Sequence, residues 1–437
     1  MTENPSESLS TVSAFAAYEL LFAAGLVLFT PYALARMLRT PAYRAGIGQR
    51  LSLSGGTQET LPHPIWIQAV SLGEVKSVTP LVRRINDHDS CRVFLTATTE
   101  TGFRVARETL STRNTIAYFP LDLSPIVKRA LARVRPRVIV LFETEIWPNF
   151  IRSATSFGIP VLIVNGRISE RSFRYYRFVP RIFKRAFSSI SFAGMQSAAD
   201  AERAIVLGSR TDAVAVCGNM KFDATPAPPS SEEIEKLRRE LALEKDVSLI
   251  VAGSTHEGEE KAVLNVYAGI LSKLPRTRLL IAPRHPERFD NVDALIREAG
   301  FKVRRRNRPA GAEASPGAVI LLDTVGELAR VYAMASVAFV GGSLVNVGGH
   351  NIIEPASMGR PVLFGPYMHH FEDVKDAFLA ADAATLINDE GELLAAVSRL
   401  LRNPFDAEKS GEAAARVVAA NRGATNRYYE ALKEYLR

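Results

Sequence analysis

Twice along the chain, short runs of Val, Ile and Leu alternate with amphipathic stretches, and a Pro-rich segment separates the two series. The first series predicts strands at Ile65–Val70, Val93–Thr98, Val138–Phe142 and Val161–Val164, with weaker signals near Ile190 and Val214. Helix-like stretches lie between them, among them Val75–Asn86, Gly102–Leu110 and Pro125–Val134. Apolar runs without polar alternation belong to strands buried on both faces, which means parallel strands covered by helices. Asp223–Ser231 (DATPAPPSS) has three Pro and no apolar period, and reads as a linker. The alternation then restarts at Leu249–Gly253, Leu279–Ala282, Val319–Leu322, Val337–Val340 and Pro361–Phe364. The fold class is therefore α/β, with two Rossmann-like, doubly wound domains, and 437 residues suffice for both. The expected organisation is a membrane anchor over 1–40, a first domain over 41–222, a hinge over 223–232 and a second domain over 233–405. A C-terminal helical stretch over 406–437 is expected to pack back on the first domain.

Composition removes several classes. Two cysteines, Cys91 and Cys217, exclude a disulfide framework, and His256-Glu257 does not continue into HExxH. No metal centre is expected. The charge is uneven: residues 36–222 carry 27 Lys and Arg against 13 Asp and Glu, although the whole chain is only +8. That half should meet something anionic. Ahead of it, Leu20 to Ala35 is a 16-residue uncharged run, flanked by Glu19 and broken by Pro31. It falls somewhat short of the roughly 20 residues of a clean span. The leading residues are acidic, so it is not a secretory signal. Arg36, Arg39, Arg44 and Arg50 follow, which puts that side in the cytoplasm. A membrane anchor is expected, spanning or partly inserted, against the plainer reading of a buried core helix.

Ligands of open parallel sheets sit beyond the carboxyl ends of the strands. Three turns there share a pattern: Ser71-Leu72-Gly73-Glu74, Ser254-Thr255-His256-Glu257 and Asn351-Ile352-Ile353-Glu354. Each fits a capping box, with Ser or Asn as N-cap and Glu at the third helical position, a role that needs no chemistry. A Glu one turn into such a helix can also accept the hydroxyls of a ribose. Gly341-Gly342 and Gly348-Gly349 bracket a loop through which backbone could approach a ligand. No GxGxxG is present, so a nicotinamide enzyme is poorly supported. Pro283-Arg284 places a fixed φ and a forked donor directly after a strand, suited to a phosphate or a base, or else a solvated surface turn.

Taken together, IWIQAVSLGEV, FETEIWPN, NGRIS, GNMKFD, AGSTHEGEE, APRHPERF and GGSLVNVGGHNIIEPASMGRPVLFGP resemble, in order and spacing, the Kdo (3-deoxy-D-manno-octulosonic acid) transferases of lipopolysaccharide synthesis. The resemblance runs from Tyr18 to about Phe371. It implies a GT-B glycosyltransferase with an interdomain cleft, moving Kdo from CMP-Kdo to lipid IVA on the cytoplasmic face of the bacterial inner membrane. No cofactor and no metal are implied. Carried over, Glu74 becomes the general base, and Glu143 and Lys221 support the transition state; Glu145, two residues on, stays an alternative to Glu143. Pro283, Arg284, Val325, Gly326, Glu327, Asn351, Ile352, Ile353 and Glu354 become the contacts to CMP. Ser52 follows Arg50-Leu51 where the resemblance leads one to expect Gly.

The acceptor side accounts for the basic half. Arg167, Arg171, Arg174, Arg177, Arg181, Lys184 and Arg185 recur at three- and four-residue steps, interleaved with Phe173, Tyr175, Tyr176, Phe178, Phe183 and Phe187. Pro180 breaks the stretch into two short helices, suited to anionic headgroups or, more plainly, to a solvated face packed on its own aromatics. No RNP-like or KH-like signature accompanies it, so nucleic acid is not an expected partner. A UDP-sugar transferase or sugar-nucleotide epimerase of the same fold is the alternative, and the number of Kdo units transferred stays open.

Overall fold

Two seven-stranded, all-parallel sheets carry the chain. The computed structural model describes residues 9–39, 46–53, 63–88, 91–143, 145–225, 228–244, 246–308 and 317–436. The first sheet comprises β1 Ile65–Gln68, β2 Val93–Ala97, β3 Thr115–Tyr118, β4 Val138–Phe142, β5 Val161–Gly166, β6 Phe192–Met195 and β7 Val214–Val216. Its strand order is β3-β2-β1-β4-β5-β6-β7. The second comprises β8 Ser248–Thr255, β9 Thr277–Pro283, β10 Val303–Arg305, β11 Val319–Leu321, β12 Val337–Val340, β13 Val362–Phe364 and β14 Thr385–Leu386, in the order β10-β11-β9-β8-β12-β13-β14. Every residue of β1, β4 and β12 is buried, which is why these strands read as unbroken apolar runs.

The chain divides into one unit of residues 1–224 plus 422–437 and another of 225–421. Residues 226 and 227 of the Pro-rich linker lie outside the described residues. The helix Pro404–Asn421 belongs to the second unit, whereas Ala424–Leu436 covers the first sheet. Tyr428, Tyr429, Leu432 and Leu436 enter the core around β1 and β4 beside Val75, Val78 and Ile85 of the helix Leu72–His88. Each such side chain contributes roughly 1.5–3 kcal/mol by burial. Asp223 starts the last helix by accepting from the backbone N–H groups of Gly423 (2.7 Å) and Thr425 (2.6 Å). Three strands carried no sequence signal. In β3 the first two residues are half exposed, β14 is two residues long, and β10 (Val-Arg-Arg) spends Arg304 on the Glu240 carbonyl and Arg305 on Asp323 and Asp290.

The N-terminal segment is helical, as an anchor requires, but a span is not shown. Leu9–Arg39 is one helix, yet among the described residues no helix is long and apolar enough to cross a membrane. At mid-helix, polar side chains are committed to protein. Tyr18 Oη donates to Asp122 Oδ2 at 2.9 Å, and Glu19 accepts from Ser124 N at 2.8 Å, at the start of the helix Ser124–Val134. Phe15 is buried under the Arg152 guanidinium. The opposite face leaves Leu20, Leu21, Val27 and Leu28 exposed. Arg44 lies outside the described residues, as do the side chains of Arg36 and Arg39. Ser52 has φ +54° while buried, so the position expected to hold Gly does sit in the left-handed region.

Candidate active site

In the first sheet the strand order reverses between β1 and β4, and the crevice beyond their carboxyl ends is where such folds place chemistry. Glu74 stands there, at the third residue of the helix Leu72–His88. Its Oε2 accepts from Val70 N at 2.8 Å and its Oε1 from Ser71 Oγ at 3.0 Å. The capping geometry read from the sequence is therefore present. It coexists with a second feature that a cap does not need. Burial, then the negative charges of Glu143 and Glu145, push the Glu74 carboxyl up to about 8, only partly offset by the Val70 N–H.

Glu143 caps the end of β4 at φ +59°, an uncommon conformation for a non-Gly residue, and Lys221 Nζ lies 3.2 Å from its Oε1. The Lys221 turn, Met220–Phe222, is fixed by a chain of amides. Asn165 Oδ1 accepts from Met220 N at 2.8 Å, Gln196 donates to Asn165 O, and Asn219 donates to Gln196 Oε1 while accepting from Lys221 N. Asn165 and Asn219 sit inside motifs noticed in the sequence, but their positioning role depends on contacts across β5, β6 and the turn. Glu145 accepts from Trp147 Nε1 at 3.0 Å, and burial first, then Glu143, pushes it up to about 7. The structure thus brings Glu74, Glu143, Glu145 and Lys221 into one cluster inside the first unit.

In the second sheet the reversal falls between β8 and β12. Pro283 ends β9 and Arg284 follows with an exposed side chain, its N–H bonded to Thr255 O. Asn351 Oδ1 accepts from Ile353 N at 3.1 Å and its Nδ2 donates to Glu354. The side chains of Ile352 and Ile353 are fully buried, so only their backbone can meet a ligand. Val325 is exposed and Gly326 has φ +89°. Glu327 accepts from Arg306 at 3.0 and 3.2 Å, and Arg306 also pairs with Glu240. With Glu233 and Arg330 these groups line a depression of about 290 Å³.

The middle capping box is corrected. Ser254 lies within β8 at φ +56°, and the following helix begins at Glu259 after Gly258. Glu257 is exposed; the working carboxylate is Glu259, buried and accepting from the backbone N–H groups of His256, Gly342, Ser343 and Leu344 at 2.7–3.0 Å. Glu260, also buried, pairs with both ends of Arg288. The glycine-bracketed loop is close to protein rather than open: a Cβ on Gly342 would lie 2.8 Å from the His350 ring.

A family model described as 3-deoxy-D-manno-octulosonic-acid transferase (kdotransferase) matches residues 45–224. A 3-deoxy-D-manno-octulosonic acid transferase of Haemophilus influenzae is 33% identical over 402 residues, covering 91% of this chain and 93% of that protein. One of Bordetella pertussis is 33% identical over 384 residues, covering 86% and 88%. Among solved structures, the UDP-GlcNAc 2-epimerase of Neisseria meningitidis bound to UDP-GlcNAc aligns with a TM-score of 0.58 at 13% identity, covering 85% of this chain and all of that one. That likeness concerns the fold alone.

Proposed function

Because the chain belongs to the 3-deoxy-D-manno-octulosonic acid transferase family of glycosyltransferases, we propose that it transfers Kdo from CMP-Kdo to lipid IVA at the anionic surface of the bacterial inner membrane. The observation that carries the reading is the meeting of Glu74, Glu143 and Lys221 at the switch point of the first sheet. Glu74 takes the proton of the attacking hydroxyl, whose oxygen bonds the anomeric carbon. The bond to the phosphate breaks, and its electron pair leaves on CMP. A base lifted toward neutral pH is better matched to that step than an ordinary carboxylate. Lys221 is held by Glu143 where it can compensate developing negative charge. In the second unit, Pro283-Arg284, Val325 to Glu327 and Asn351 to Glu354 take the nucleotide, and in this reading no metal ion takes part. The full-length relatives at 33% identity favour this donor over the UDP-sugars of the fold neighbours. Incubation with CMP-Kdo and lipid IVA tests it: mass spectrometry should show lipid gaining Kdo with CMP released, and the count of added units reads the processivity. An unchanged lipid mass with a folded enzyme ends the proposal.

Glu143 has a separable effect. Its charge raises Glu74, so Glu143→Gln should move the acid limb of the log(kcat/KM) profile to lower pH by about one unit. An unmoved limb means that Glu143 does not set the base.

Membrane association in this reading is interfacial. The exposed face of the first helix (Leu20, Leu21, Val27, Leu28) is joined by Phe178 and Tyr175, also exposed, on the helix Glu170–Phe178. Tyr176, Phe183 and Phe187 instead pack into the core, so the aromatics divide between the two readings of the basic stretch. Exchanging Arg174, Arg177 and Arg181 for Gln should weaken binding to anionic vesicles about hundredfold and leave CMP affinity unchanged. Equal loss of both in a flotation assay and a CMP titration excludes the surface role.

A further inference from the structure

At the switch point of the second sheet, two imidazoles are hydrogen-bonded to each other: His256 Nε2 and His350 Nε2 are 2.8 Å apart, with rings stacked at 9°. His256 directly follows β8, and His350 closes the loop that begins at Gly341 after β12. Glu259 accepts from the backbone N–H of His256, and the Gly342 backbone, at φ +66°, lies against both rings.

The groups facing the pair are two arginines and two further histidines. From the β9 turn come Arg284 and His285, the latter edge-on to His256 at 5.3 Å. Arg288 faces His256, and His370 faces His350. Of the carboxylates nearby, Glu260 pairs with Arg288, Glu259 accepts from four backbone N–H groups, and Glu287 lies 3.7 Å from His285 Nδ1. An Nε2-to-Nε2 bond requires one ring to donate and the other to accept, so the pair can bind one more proton and then present a positive charge.

We propose that His256 and His350 form the proton-binding part of the site for the nucleotide's phosphate, and that an arriving phosphate monoester draws one proton from solvent onto the pair. The inference rests on the CMP-Kdo reading of the second unit and adds two positioning residues to it. The physical cause is a change of neighbour. Burial first, then the surrounding cations, hold His256 below and His350 well below the usual histidine range. An anion beside Arg284 reverses the sign of the local field and lifts both. The enzyme would thereby match its charge to a leaving group that bears more negative charge after the glycosidic bond breaks than before.

Calorimetric titration of the full chain with CMP, in buffers of different ionisation enthalpy near pH 7.5 (about one unit above the free imidazole pKa), reads the proton directly. The expected result is uptake approaching one proton per CMP bound, with CMP affinity falling up to about tenfold per pH unit above neutrality. Cytidine, which lacks the phosphate, should bind without uptake. His350→Gln and His256→Gln should each abolish uptake, and using both guards against misfolding of either one. No uptake by the wild type, or equal uptake by the folded Gln variants, overturns the proposal while leaving CMP binding intact. A folded wild-type chain that does not bind CMP at all overturns the donor reading itself, and this inference with it.

Discussion

Glu74→Gln lowers kcat by about 10³-fold while the fold and CMP binding survive. The substitution is nearly isosteric and retains an oxygen for the Val70 N–H, so the turn after β1 keeps its cap. What it loses is the lone pair that accepts the acceptor's proton. The nucleotide residues lie in the second unit, so CMP affinity measured by titration should be unchanged. The wild-type profile adds a signature. The base must be ionised, so activity falls as pH drops through the raised value near 8. The stability consequence has the opposite sign. A carboxyl whose folded value lies above its unfolded one stabilises fully below the unfolded value and loses that contribution as pH rises through the folded one. Glu74→Gln should therefore be more stable than wild type in alkaline buffer, by on the order of 2 kcal/mol and so with a higher melting temperature, and show no such gain in acid. A variant retaining full transfer activity sinks the assignment; one that melts lower at every pH shows that Glu74 acts as a cap alone.

The same residue shows where sequence reading stops. Glu74 fits a capping box and also a base, and the motif cannot choose because both demand a Glu three residues after Ser71. The decision depends on burial and on two carboxylates from the β4 end, 69 and 71 positions away in the chain. The parallel sheets, by contrast, were visible, because strands covered on both faces must be written as unbroken Val, Ile and Leu. Strands that break that rule, such as β10 with Arg304 on a backbone carbonyl and Arg305 in ion pairs, left no trace. The partners of the first helix were equally out of sight. Its apolar run is plain in the sequence, but Tyr18 and Glu19 find their hydrogen-bond partners in Asp122 and Ser124, more than 100 residues away.

Glu259 is the position where that gap is widest, and its removal should be the most destabilising single change in the second unit. In the run Glu257-Gly258-Glu259-Glu260 nothing marks one acid above the others, yet the first is exposed, the last is paired to Arg288, and Glu259 alone holds a loop. Its two oxygens accept four backbone N–H groups, three of them from Gly342 to Leu344 immediately after β12. Glu259→Ala leaves those donors buried without an acceptor. At about 1–3 kcal/mol for each unsatisfied group, discounted because the loop can relax, the loss is about 3–5 kcal/mol. For a unit of this size that is a fall of roughly 10 °C in its melting transition. Glu259→Gln should fall between, since one amide oxygen can still accept but the NH₂ group points donors at donors. Hydrogen exchange separates this from generic damage: the amides of His256, Gly342, Ser343 and Leu344 should lose protection while β1 and β4 of the first unit keep theirs. Because the same loop carries His350 to its partner, proton uptake on CMP binding should vanish in the Ala variant even where CMP still binds. An Ala variant melting within about 2 °C of wild type means that the loop draws its order from other contacts.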